Sequence, residues 1–166
     1  MSLRDLAREV GLQVGSLYNH IESKQALLFA LMREHQLEVL AACKQAQAGL
    51  TDPVERLEAF AAFHVTYHIA RKREVYVSNS EMRSLESGNY AAIVAGRRDY
   101  ELILIRILED GKRTGLFRST NMRLAAFGLL AMLTGVCIWY SPDGPLSAKT
   151  VTTQYVQMSV ASVLKV

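Results

Sequence analysis

Residues 8–28 read "REVGLQVGSLYNHIESKQALL". Gly11 separates two short helix-forming runs, and two small residues, Gly15 and Ser16, open the second. Upstream, Leu3, Leu6, Ala7 and Val10 follow the i, i+3, i+4, i+7 spacing of an amphipathic helix, with Ser2 and Asp5 as a capping pair. Gly11 then suits the left-handed position just past a helix end. A second helix is predicted from Val14 to Ile21, with Leu17 and Ile21 facing inward. Helix, glycine turn and short helix make the unit that lays its second helix in a DNA major groove. The residue types fit that use. Gly15 and Ser16 keep the helix start slim, while Tyr18, Asn19 and His20 offer hydrogen-bonding groups. Lys24 brings a positive charge to the first turn of the next helix, beside free backbone N–H groups. Any two short helices joined by a glycine share this outline, so spacing alone leaves DNA binding open.

The rest of the 166 residues also reads as helix. Half the residues are hydrophobic, only three are proline, and alternating β-branched runs are nearly absent, which predicts an all-α chain. Ser23 caps a long helix running to about Ala48, with Leu27, Leu28, Leu31, Leu37 and Leu40 as its apolar positions. Pro53 suits the first turn of a helix over 53–73, which ends in the charged run "RKRE". A shorter helix over 75–85, a long one over 89–110 and the glycine turn "DGKRTGLF" follow. Residues 122–140 then carry no charge over their last seventeen positions, close to a membrane span in length. Gly128, Thr134, Gly135 and the many alanines fit a helix buried on two sides better. Ser147 caps the last helix, where Val151, Tyr155, Met158 and Ser162 line one face and Val156, Val160 and Val163 another. Two such stripes on each closing helix predict a homodimer through residues 122–140 and 147–164.

Cys43 and Cys137 lie far apart without metal-ligand spacing, and no leader segment is visible, so the expectation is a cytoplasmic protein with no membrane partner. The net charge of +3 does not reside in residues 1–48, where five basic side chains balance five acidic ones.

The run "SLRDLAREVGLQVGSLYNHIESKQALL" closely resembles the signature of the TetR/AcrR family of transcriptional repressors. Ala7, Gly11, Gly15, Leu17, Tyr18, His20, Ser23, Lys24 and Leu27 fall at the family's spaced positions. The resemblance implies a helix-turn-helix head over residues 1–45 joined by a long helix to a ligand-binding and dimerisation body over 46–166. It implies a ligand-responsive regulator, a repressor that binds double-stranded operator DNA as a dimer. Tyr18, His20 and Lys24 would hold phosphates, Gln13, Val14, Gly15, Ser16 and Asn19 would meet base edges, and Ser2 would be a further DNA-binding residue. Two departures stand out. Ile21 replaces a usual aromatic, and Gln13 stands where Ser or Thr usually caps the reading helix. The family's first helix, which precedes the position of Ser2, is not in this sequence, so exposed Leu3, Leu6 and Leu17 and weakened DNA binding are expected.

The runs "REVYVSNSEMRSLESGNYAAIVAGRRDYELILIRILEDGKRTGLF" and "CIWYSPDGPLS" resemble, more loosely, the branch of that family that senses acyl-CoA thioesters. That implies a small-molecule inducer with phosphates and an apolar arm. Arg71, Lys72, Arg73, Arg97, Arg98 and Arg106 could meet the charges, while Phe60, Phe63, His64, Tyr67, Met132 and Trp139 could line an apolar tunnel. The same arginines could instead be solvated or paired with Glu74, Asp99 and Glu101. His64 and His68, one turn apart, could bind a metal or serve as hydrogen-bonded core residues. Trp139 with Tyr140 could plug the core end. No nucleophile with a base, no carboxylate pair and no phosphate loop stands out, so neither an enzyme nor a cofactor is expected. The alternatives are a dimeric acyl-CoA-binding protein without DNA binding and, more distantly, an acyl-CoA-handling enzyme.

Overall fold

The computed structural model describes residues 8–9, 11, 13, 21–118 and 121–165. Among them the regular structure is helical: α1 (Lys24–Ala46), α2 (Pro53–Ala70), α3 (Lys72–Ser80), a 3₁₀ turn at Met82–Ser84, α4 (Ser87–Arg113), α5 (Met122–Trp139) and α6 (Ala148–Val163). The expected helix over 14–21 lies outside the described residues, as does most of the one over 2–10, of which Arg8 and Glu9 are helical.

The helix starts are chemically specified. Ser23 Oγ accepts from Ala26 N–H at 3.0 Å, and Asp52 accepts from Val54 and Glu55 N–H ahead of Pro53. Asn121 and Ser147 do the same for α5 and α6. Each such cap is worth about 1 kcal/mol, because it satisfies a donor with no partner inside the helix. Helix α2 ends at Ala70, three residues short of the sequence expectation, and α3 starts at Lys72, so only Arg71 leaves helical geometry, at φ −112° and ψ 35°.

Helix α2 is the axis of the bundle, packing against α6, α5, α4, α1 and α3. Its buried residues Leu57, Phe60, Ala61, His64, Val65 and His68 recur every three or four positions. Leu104, Ile107 and Leu108 of α4, Leu133 and Val136 of α5, and Val151 and Val163 of α6 close over them. Removing each large side chain from water stabilises the fold by about 1.5–3 kcal/mol.

Helix α1 corrects one expectation. Leu31 and Leu37 are exposed, at 51% and 56%, while Met32, Val39 and Cys43 are buried. The inner stripe steps by seven and then four residues, and the two leucines sit off it. A second small cluster, Met32 with Leu85 and Ile93, fastens the first half of α1 to the 3₁₀ turn and the start of α4.

Helix α5 is long and apolar enough to cross a bilayer by length and composition alone. Here one stripe, Met122, Ala126, Leu129, Leu133 and Val136, is buried, while Leu124, Phe127, Ile138 and Trp139 are exposed.

Helix α4 ends in a Schellman motif. Gly115 adopts φ +78°, its N–H bonds Lys112 C=O, and Leu116 N–H bonds Gly111 C=O. The chain then pairs with its own end through Arg118 N–H to Val163 C=O and Lys165 N–H to Leu116 C=O. A Cβ at Gly111 would overlap the Phe117 ring, which is 2% exposed. Gly111→Ala should therefore lower unfolding free energy in urea by about 1–3 kcal/mol. Gly88→Ala, at an open position in the first turn of the same helix, should be neutral or stabilising by up to about 1 kcal/mol. Equal midpoints for the two variants would contradict this packing.

Candidate functional site

The head of the molecule is described at a few points. Gly11 has φ +69° and its N–H bonds Arg8 C=O at 3.3 Å, the left-handed turn expected of it. Gln13 is exposed, and Lys24 is the exposed first residue of α1, just past the Ser23 cap. Ser2, Val14, Gly15, Ser16, Tyr18, Asn19 and His20 lie outside the described residues. The start of α1 is tied to the body by Gln25, whose amide donates to Ser84 C=O and accepts from Glu86 N–H.

Further along α1 the body opens into a cavity of about 360 Å³. Helix α1 supplies His35, Gln36 and Val39, and α2 supplies His64 and His68. Val75, Ser78 and Asn79 come from α3, and Gly96, Arg97, Tyr100 and Glu101 from α4. Leu130, Ala131 and Thr134 of α5 close it. A second hollow of about 710 Å³ runs between α3 and α5 from Lys72 to Ile138, sharing Val75, Asn79, Ala131 and Thr134 with the first. The two meet at that shared wall. Ala131, Thr134 and Gly135 are small, and among the described residues nothing beyond its own stretch of helix lies within 4 Å of where a Cβ on Gly135 would sit, so α5 yields the space.

The inner wall is polar in a controlled way. His64 Nδ1 lies 3.0 Å from Tyr100 Oη, and Nε2 lies 3.0 Å from Thr134 Oγ1, so both ring nitrogens are engaged. The His68 ring stacks on it at 3.7 Å and donates from Nδ1 to the His64 carbonyl at 2.7 Å. Burial holds the pKa of His64 well below the usual value, with the His68 ring reinforcing it. His68 is lowered to about 4, again chiefly by burial. Both rings are neutral near pH 7.

Arg97 is part-buried in the α4 wall. It donates to Ser78 C=O at 2.6 Å and to Asn79 Oδ1 at 3.0 Å, and no carboxylate among the described residues lies within ion-pair distance. Burial lowers its pKa, with Glu101 opposing. The flanking charges behave otherwise. Arg71 lies 3.3 Å from Glu38 and 3.5 Å from Glu74 and covers the Tyr67 ring, and Lys72 donates to Tyr140 C=O at 3.1 Å. Arg73, Arg98 and Arg106 are exposed.

Of the residues named from sequence for a ligand, the cavity gathers His64 and Arg97. Phe60 is fully buried behind it, its ring 5.3 Å from that of Tyr100. Phe63 and Tyr67 pack on each other, and the Tyr67 hydroxyl faces Glu38. Met132 lines a third hollow of about 280 Å³ with Gly128 and Arg118. Trp139 is half exposed, stacked on Tyr155 and donating to its hydroxyl at 3.2 Å, while Tyr140 takes the buried place at the core end. Tyr100, Thr134 and His68 were not among the residues expected at a ligand, His68 being expected only as a metal-binding or core partner of His64. The i, i+4 spacing of the histidines pointed to His68, but nothing in the sequence joins Tyr100 or Thr134 to His64.

The family model for the tetracyclin repressor-like C-terminal domain matches residues 50–163. The HTH-type transcriptional repressor KstR2 of Mycolicibacterium smegmatis is 26% identical over 98% of this chain and 80% of its own length. The TetR family transcriptional regulator PfmR from Thermus thermophilus superposes with a TM-score of 0.88 at 30% identity, covering 97% of this chain and 88% of that one. AibR in complex with isovaleryl coenzyme A and operator DNA superposes with a TM-score of 0.83 at 26% identity, covering 95% and 86%. A helical body matched over most of its length by such regulators, following the signature at residues 2–28, identifies the chain as a member of the TetR family of transcriptional regulators.

Proposed function

We propose that the protein is a ligand-responsive repressor, with a DNA-reading head over residues 1–45 and a ligand-binding, dimerising body over 46–166. The observation that carries this reading is the double role of α1. The helix begins at Lys24, directly after the reading segment, and eleven residues later supplies His35, Gln36 and Val39 to the cavity. A ligand that fits the cavity better in one setting of α1 biases the head by the same free energy. A coupling of about 1–3 kcal/mol gives a five- to 150-fold change in operator affinity.

The ligand class that fits is an acyl-CoA thioester or a similar amphipathic compound. The inner cavity takes the acyl arm, and the second hollow leads the remainder outward past Lys72. AibR, whose complex holds isovaleryl coenzyme A and operator DNA, supports this by likeness. The protein acts by binding, in the cytoplasm beside its DNA, rather than by catalysis. Burial pushes the Cys43 thiol up to about 11, and both nitrogens of His64 are committed to hydrogen bonds.

The partner for the exposed apolar face of α5 and α6 is a second copy of the chain. Leu124, Phe127, Ile138, Trp139 and Met158 are too many apolar side chains on one face to leave wet. Phe127→Glu should give a monomer by sedimentation and lose operator binding, with helicity unchanged. A dimer of the variant as tight as the original would exclude this face.

Operator contacts are tested by two substitutions. Lys24→Ala should weaken binding to every DNA sequence alike and flatten the salt dependence by about one unit of slope, whereas Asn19→Ala should relax base preference. The cavity is tested by Ala131→Trp, which fills the wall common to both hollows. In a gel-shift titration this variant should hold operator as tightly as the original and no longer release it with an acyl-CoA. Release at the original thioester concentration would remove the cavity from the mechanism.

A further inference from the structure

His68 is held by one nitrogen only. Its Nδ1 lies 2.7 Å from the His64 carbonyl oxygen, and a carbonyl only accepts, so Nδ1 carries the hydrogen. In a neutral ring Nε2 is then a bare lone pair. Among the described residues nothing donates to it, whereas both nitrogens of the stacked His64 are engaged. His68 is buried from bulk solvent and lines the inner cavity. The cavity wall therefore presents an acceptor that the protein itself leaves without a donor.

A plain hydrocarbon arm would cover that lone pair and displace water without replacing its hydrogen bond. The penalty for stranding a buried acceptor corresponds to about 5- to 150-fold in affinity. A hydroxyl avoids it, because it donates to Nε2. The space of about 360 Å³ is roughly ten times the ~30 Å³ share of a liquid water, enough for a ring-sized group.

We propose that the enclosed part of the ligand carries a hydroxyl group that donates to His68 Nε2, so that His68 sets a preference for hydroxylated over plain acyl compounds. The thioester form of the compound rests on the function proposed above, and the hydroxyl preference does not.

The test is calorimetry on matched pairs, hydroxylated and plain on one carbon skeleton, as CoA thioesters and again as free acids, with CoA and pantetheine alone as controls. The intact protein should bind the hydroxylated member about 5- to 150-fold tighter. His68→Leu should bring that ratio to about one or below, because the plain member no longer strands an acceptor and tightens while the hydroxylated one loses its partner and weakens; tighter binding of the plain member shows that the variant is folded. His68→Gln, which keeps an acceptor, should restore part of the ratio. Equal binding of the pair by the intact protein, an unchanged ratio in His68→Leu, or binding of no hydroxylated compound in either series overturns the proposal. So does His68-dependent binding of pantetheine itself, which would place the donor on the carrier, in a pantoyl hydroxyl, an amide or the thiol, and not on the acyl group. If thioesters fail while hydroxylated acids beat plain ones through His68, the thioester reading falls and the hydroxyl preference stands.

Discussion

A buried imidazole at the centre of a helical bundle costs the fold least when both of its nitrogens have partners. His64 meets that condition by reaching Tyr100 on α4 and Thr134 on α5, so one side chain fixes the register of three helices. On one side of it Leu57, Phe60 and Ala61 join an apolar core, and on the other the wall is polar and hollow. The boundary between packing and recognition thus runs through a single hydrogen-bonded ring. Burial that keeps the ring neutral also keeps the wall free of charge there, leaving Arg97 and Glu101 as the ionic groups of the cavity.

The helices around that ring are held by different physics. Helices α2, α4, α5 and α6 share a close-packed apolar cluster, which resists gradual deformation. Helix α1 is fastened by polar ties beside its apolar ones: Gln25 to the 3₁₀ turn, Gln36 to the Ile93 carbonyl, and Glu38 to Arg71. Its apolar anchors are fewer, chiefly Met32 against Leu85 and Ile93, with Cys43 in the main core. Polar ties exchange one partner for another, or for water, at lower cost than a packed core repacks. The element joined to the reading head is thus the one whose attachment is easiest to reset.

The sequence was most legible where local chemistry decides. Ser23, Asp52 with Pro53, and Ser147 mark helix starts by side chains that bond the next backbone N–H groups, and Gly11 marks a turn that needs positive φ. It was least legible where phase decides. On α1 the leucines drew the eye, but Leu31 and Leu37 face outward because Met32, Val39 and Cys43 hold the inner stripe. On α2 and α5, apolar on most faces, residue type alone assigned Phe60, Met132 and Trp139 to a ligand. Packing put them in the core, in a third hollow and on the outer surface. The contacts that make the inner wall span 36 and 70 residues of chain, and no local pattern carries them.

Helix α5 explains why its composition mimics a membrane span. Its core stripe is Met122, Ala126, Leu129, Leu133 and Val136. The opposite side carries Leu124, Phe127, Ala131, Gly135 and Ile138 together; it lines the two hollows at Ala131, Thr134, Gly135 and Ile138 and is exposed at Leu124, Phe127 and Trp139. Three demands act on these two sides, and each requires uncharged residues: close packing, room for a ligand, and contact with the partner copy proposed above. Three such demands on eighteen residues leave a place for charge only in the first turn, at Arg123. The small residues then record where the apolar surface is not to be filled. Ile138 lines the second hollow and is also exposed beside Trp139, so that hollow adjoins the face proposed for the second copy. In the function proposed above, ligand, second subunit and reading head are thus joined through helices that each serve more than one of them, and no separate transmitting segment is required.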